Sequence, residues 1–151
     1  MVDSETRTEK LFELWDRTVP PDGVDLAQTL GIRPLYASES EVHMIMDWRP
    51  EIAQPTGVFA AGSLIQLGDV ANSMLGLLNL QDSDQSQFPL AVQLSTNLIG
   101  NTTGKSVVAV ARILSSGRTV LSAQSEISPV NGASIAFVTG TYLYRPRHRA
   151  L

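Results

Sequence analysis

Between Ile52 and Gln81 the chain runs for thirty residues with one ionisable side chain, Asp69. A lone carboxylate in such surroundings is a candidate for chemistry. Apolar neighbours disfavour its charged form and raise its pKa, which strengthens it as a base. General base or nucleophile is therefore the functional reading of Asp69. The plain reading is a buried carboxylate that accepts a backbone N–H or caps a loop. Counted at helical spacing, Gly62, Gln66, Asp69, Ser73 and Gly76 share one small or polar stripe. Leu64, Leu67, Ala71, Met74, Leu75 and Leu78 form a broad apolar side. The first stripe suits close approach by a ligand or another surface. Ser73 lies one turn beyond Asp69, in reach of it or of a water, although small packing residues also take such positions.

Other chemistries are poorly served. There is no cysteine, which removes disulfides, thiolate metal sites and a Cys nucleophile. Two histidines, His43 and His148, without partner motifs argue against zinc, and no metal is expected. No P-loop, dinucleotide fingerprint or G-x-S-x-G elbow is present. The formal net charge of −4 disfavours an electrostatic nucleic-acid binder. A membrane span over Gly57–Leu80 is disfavoured by Gln66, Asp69 and Asn72 near its middle, since a central Asp costs roughly 2.5–3.5 kcal/mol. Met1 to Lys10 is polar and lacks the apolar run of a secretory signal, so a cytoplasmic location is expected.

The elements that must hold these residues follow from periodicity. The 151 residues suit a single domain, 1–151, with residues 1–23 as an N-terminal helical extension. Thr6–Val19 has helical spacing of Leu11, Phe12, Leu14 and Trp15, ended by a turn at Pro20–Gly23. Asp25–Leu30 offers one short helical turn. Ile32–Ala37 and Glu41–Trp48 read as a hairpin, since Val42, Met44 and Met46 alternate with His43, Ile45 and Asp47. Arg49–Gly57 is a loop, and a helix runs from about Ala60 to Leu78. A polar loop at Gln81–Gln87 precedes strands at Leu90–Ile99, Ser106–Ser115, Arg118–Ile127 and Ala133–Tyr144. Arg145–Arg149 reads as a basic tail. Short connections between successive strands require antiparallel pairing. One long apolar helix must then be wrapped by the sheet. The expected class is α+β: a curved antiparallel sheet of about six strands around a central helix, the hotdog layout. Edge-to-edge pairing of two such sheets would hide apolar edges.

The segment Gln54-Pro-Thr-Gly-Val-Phe-Ala-Ala-Gly62-Ser-Leu-Ile-Gln-Leu-Gly-Asp69 resembles the loop-and-helix motif of PaaI-type hotdog acyl-CoA thioesterases. In that family a loop Asn or Gln is followed by His-Gly-Gly at the helix start, then by an acid about seven residues on. Gln54 matches the loop amide, Gly62 the second glycine, Asp69 the acid, and Ser73 a place where a small hydroxyl residue is common. Ala60 and Ala61 stand where the family has His and the first Gly, and Ile99-Gly100 stands where Arg-Pro is often found. The layout extends over about Leu30–Pro146.

The resemblance implies hydrolysis of an acyl- or aryl-CoA thioester, with Asp69 as base or nucleophile. The N–H groups of Ala61 and Gly62, unpaired at the positive end of the helix, would hold the oxyanion. Gln54 would orient water or substrate. Asp69 and the donors around Gln54 and Gly62 would come from opposite subunits of a homodimer, alone or in a dimer of dimers. No cofactor is implied, because coenzyme A is part of the substrate. Arg145, Arg147 and Lys105, with Arg112, are the candidates for its phosphates. A non-catalytic acyl-CoA or lipid-binding hotdog protein is the first alternative. A hotdog dehydratase or isomerase is the second, disfavoured because no His lies near the helix.

Overall fold

The structure, a computed structural model, describes residues 3–19, 25–80 and 86–146. The expected turn at Pro20–Gly23, most of the polar loop after Gln81, and the tail residues Arg147, His148 and Arg149 lie outside the described residues. Helix α1 spans Ser4–Thr18 and a one-turn helix α2 spans Leu26–Thr29. Strands β1 (Arg33–Ala37) and β2 (Glu41–Asp47) follow. A 3-10 turn at Pro50–Ile52 leads toward α3, Ala61–Leu80. Strands β3 (Gln87–Leu98), β4 (Ser106–Ser116), β5 (Val120–Pro129) and β6 (Ala136–Pro146) complete the order.

One antiparallel sheet holds all six strands in the order β1-β2-β4-β5-β6-β3. The chain makes the β1–β2 hairpin and crosses one face of the sheet as α3. It then lays β3 on the far edge and fills the gap with the β4-β5-β6 meander. Helix α3 packs against β2, β3, β4, β5 and β6, the hotdog arrangement. The β1–β2 alternation is as expected: Val42, Met44 and Met46 face the core with no exposure, and the residues between them face outward. The apolar side of α3 is likewise buried throughout. Several boundaries differ: β5 runs Val120–Pro129 against the expected Arg118–Ile127, and β6 starts at Ala136 rather than Ala133. Strand β3 starts at Gln87 rather than Leu90, because Phe88 and Pro89 extend the ladder along Arg145 and Tyr144. Arg145 and Pro146, expected in a tail, are therefore the last residues of β6.

Small residues decide how closely helix and sheet approach. Ala109, Ala111, Ala123 and Ala136 line the floor beneath α3. A Cβ added at Gly68 would fall 2.6 Å from Val138 Cβ and Cγ2. One at Gly76 would fall 2.9 Å from Leu121 and 3.2 Å from Pro89. Gly76, counted on the ligand-facing stripe, is thus buried against the chain's own sheet. The stripe splits because Leu121 and Pro89 close over Gly76, whereas nothing lies within 4 Å of a Cβ at Gly62. Helix α1 covers β1, burying Leu11 and Trp15 one turn apart, and Thr8 shares hydrogen bonds of 3.1 Å with the backbone of Ala37.

Candidate active site

Asp69 sits midway along α3 and lines a cavity of about 240 Å³. The cavity lies between α3, the end of α1 and the start of β3. Its walls include Trp15, Val19, Val70, Met74, Phe88 and Leu90, with Gln66 and Ser73 beside the carboxylate. Burial pushes the Asp69 pKa up, opposed by a hydrogen bond from Tyr142. The Tyr142 hydroxyl donates to Asp69 Oδ1 at 2.8 Å. Burial and the facing Asp69 charge push the phenol far above its usual range, so it stays a neutral donor. Among the described residues Tyr142 is the one side-chain donor to Asp69, which leaves the second carboxylate oxygen for water or substrate. Ser73 shares the cavity, as its spacing suggests, but makes no hydrogen bond to Asp69 among the described residues.

The other end of α3 holds the second group. Ser63 and Leu64 donate their backbone N–H groups to Ala60 O, which leaves those of Ala61 and Gly62 without a backbone acceptor among the described residues. Both residues are exposed, and a Cβ at Gly62 would meet nothing within 4 Å. The loop before them is tied down. Phe59 is fully buried, its carbonyl accepts from Asn101 Nδ2 at 2.8 Å, and Ser63 Oγ donates to Ile52 O at 3.1 Å. Gly57 takes a φ of +86°, a left-handed turn that suits glycine. Gln54 is in this loop, where its side chain bonds Thr56, accepting the Thr56 N–H at 3.0 Å and donating to the Thr56 hydroxyl.

One chain does not bring the two groups together. Asp69 is eight residues past Ala61 on the same helix, about 12 Å at 1.5 Å per residue. Lys105 precedes β4 at the end of the sheet near the α3 N-terminus, whereas Arg145 closes β6 at the opposite end, registered against the cavity residue Phe88. Arg112 lies on the outer face, paired with Glu41 at 2.9 Å. His43 is there too, 2.7 Å from Glu41 Oε1 and edge-on to Tyr36, away from Asp69.

Two further residues near Asp69 were not among the expected site residues. Tyr142 is seventy-three positions away in sequence, and nothing local marks it. Asn72, three residues after Asp69 in an apolar helix, did carry a signal. It is fully buried, its Nδ2 donating to Val138 O at 3.2 Å.

No protein-family model matches the chain, and no curated protein matches it. Solved structures do. A thioesterase from Haemophilus influenzae superposes with a TM-score of 0.79 at 19% identity, covering 95% of this chain and 94% of that one. A Pseudomonas aeruginosa thioesterase carrying a glutamine-to-alanine change gives 0.77 at 20%, covering 93% and 94%. A Staphylococcus aureus thioesterase, also with a glutamine changed to alanine, gives 0.74 at 24%, covering 80% and 98%. A second variant of that S. aureus protein, with a glutamate changed to alanine fifteen positions after the glutamine, gives 0.73 at 26%. The fold is the hotdog fold that these thioesterase-superfamily proteins share.

Proposed function

We propose that this hotdog chain is an acyl-CoA thioesterase that works as a homodimer with Asp69 as its catalytic carboxylate. The observation that carries the reading is the one carboxylate of the central helix, raised in pKa by burial, beside an apolar cavity in a thioesterase fold. Gln54 and Asp69 are fifteen positions apart, the spacing of the two residues altered in the S. aureus thioesterase. The acyl group occupies the cavity beside Asp69. Asp69 takes a proton from the attacking water, or itself attacks the thioester carbonyl. The N–H groups of Ala61 and Gly62 hold the developing oxyanion, and Gln54 orients the water or the thioester. In the first route the proton taken by Asp69 passes to the leaving thiolate of coenzyme A. In the second the thiolate leaves as an Asp69–acyl anhydride forms, and water then hydrolyses that anhydride to free acid and the Asp69 carboxylate, its proton going to the thiolate. No cofactor enters the reaction, and Arg145 on the cavity side serves the coenzyme A phosphates.

The dimer follows from two arguments. First, donors about 12 Å from the base along one helix cannot act on one carbonyl, so a second copy supplies the donor end. Second, β3 is a twelve-residue edge strand exposing Leu90, Val92, Leu94 and Leu98. A long apolar edge invites pairing with another strand. The other edge, β1, is five residues long, interrupted at Pro34, and covered by α1. Among the described residues no helix is long and apolar enough to cross a membrane, and acyl-CoA substrates fit a cytoplasmic location.

The test follows free thiol release from short, aromatic and long acyl-CoAs. Asp69→Asn is expected to lower kcat by about 10²–10⁴-fold, the usual worth of a general base, with the fold intact by circular dichroism. Acyl-CoA binding without thiol release in the wild type would replace this reading with a binding protein. The Ala60-Ala61 departure from the family's His-Gly is the feature that favours that outcome.

A further inference from the structure

We infer that Tyr142 is a positioning residue for Asp69, set beside a buried polar pair, Asn72 and Ser125; this rests on the thioesterase reading above. Tyr142 is fully buried on the face of β6 that meets α3. A phenylalanine would fill nearly the same space. The hydroxyl adds a donor aimed at Asp69 Oδ1. Room for it is built into the strand. A Cβ at Gly140, two residues earlier on the same face, would lie 2.4–2.6 Å from the Tyr142 ring edge and hydroxyl. The ring leans back over Gly140, and any side chain there would displace it.

A polar pair lies behind the phenol. Asn72 and Ser125 are both fully buried. Ser125 Oγ is 2.8 Å from Asn72 Oδ1 and 3.0 Å from Gly68 O, so its one proton faces two acceptors. Asn72 Nδ2 donates to Val138 O at 3.2 Å, and the Asn72 side chain also faces the Tyr142 phenol. Ser125 and Asn72 thus form a buried hydrogen-bonded pair in an otherwise apolar layer, beside the phenol that reaches the carboxylate. Each would cost about 1–3 kcal/mol if left unpaired. An apolar trio would avoid that exposure to error, so packing alone does not explain these three residues. The effect of the phenol is to lock one oxygen of Asp69 and present the other to the cavity. No proton leaves Tyr142: the phenol donates a hydrogen bond while Asp69 does the chemistry.

The titratable groups around Asp69 are few. Tyr142 faces it from β6. Asp25 lines the same cavity, its Oδ1 accepting the Ala27 N–H at 2.7 Å. The cavity residues from α1 and β3 are uncharged. The Tyr142 hydrogen bond favours ionised Asp69, so losing it leaves burial unopposed.

The experiment compares wild type, Tyr142→Phe, Asp69→Asn and the double variant. Tyr142→Phe is expected to lower kcat roughly 10- to 100-fold, the worth of one hydrogen bond to a charged group, with KM nearly unchanged. The acid limb of its kcat/KM profile moves to higher pH. In the Asp69→Asn background, Tyr142→Phe costs no further rate. Carbon-13 titration of the Asp69 carboxyl reads the same shift without turnover. Should Tyr142→Phe unfold, Asn72→Ser, which withdraws the amide that faces the phenol, must move the acid limb in the same direction. A Tyr142→Phe protein with wild-type kcat and acid limb overturns the inference while leaving the thioesterase reading in place. A wild type that releases no thiol, or an Asp69→Asn protein that keeps its activity, overturns both.

Discussion

Asp69 is held at a cost to the fold. Burial raises its pKa above the ordinary 3.8, and Tyr142 returns only part of the difference. A carboxylate with a raised folded-state pKa stabilises the fold only when protonated. Its contribution is present below the unfolded value and is lost as pH rises through the folded value. Asp69→Asn removes this penalty at neutral pH and keeps an acceptor for Tyr142. The variant is therefore expected to melt a few degrees above wild type at pH 7, with the gain disappearing toward pH 4. Paired thermal melts across that range check it, and an equal Tm at every pH would show that the carboxylate is not strained. The charge gap made Asp69 legible. Tyr142 was not, because a strand tyrosine takes its partner from the sheet's register, not from local spacing.

At the scale of the element, α3 owes its position to glycine. Gly68→Ala would gain about 1 kcal/mol in helix propensity, yet its Cβ would lie 2.6 Å from Val138. Overpacking of that kind costs about 1–3 kcal/mol, so a lower Tm is expected, rescued when Val138→Ala makes room in the same chain. Because Gly68 adjoins Asp69, kcat should fall with the single change and recover with the pair. Helix α1 matters for a different reason. Trp15 packs into the core and walls the cavity. Trp15→Leu should shift relative kcat/KM toward longer acyl chains as that wall recedes. An unchanged chain-length profile would place the acyl group elsewhere. The periodicity of α1, α3 and the hairpin was readable from apolar spacing. The early start of β3 was not, since Phe88 and Pro89 join the ladder only because β6 lies alongside.

For the whole molecule, the proposed division of one site between two copies has its own test. Asp69→Asn and Gln54→Ala homodimers should both be weak. Mixed and allowed to exchange subunits, they form heterodimers in which one of the two sites is intact, and activity should recover. No recovery despite exchange, followed by mass spectrometry of tagged chains, would mean each chain acts alone. Leu94→Glu on β3 should give a monomer in sedimentation and lose activity with it.

The sequence by itself determined the class of elements, their order and the one carboxylate worth attention, because apolar periodicity and the placement of charge are local properties of the chain. The tertiary structure alone decided what surrounds that carboxylate. The cavity draws on α1, α3 and β3. Tyr142 comes from β6, and Asn72 on the helix and Ser125 on the neighbouring strand bond each other within the same layer. These are contacts between residues tens of positions apart, set by strand order and by how near glycines let the helix come to the sheet. The distance between the α3 N-terminus and Asp69, by contrast, is set by helix rise alone and was already contained in the sequence spacing of Ala61 and Asp69.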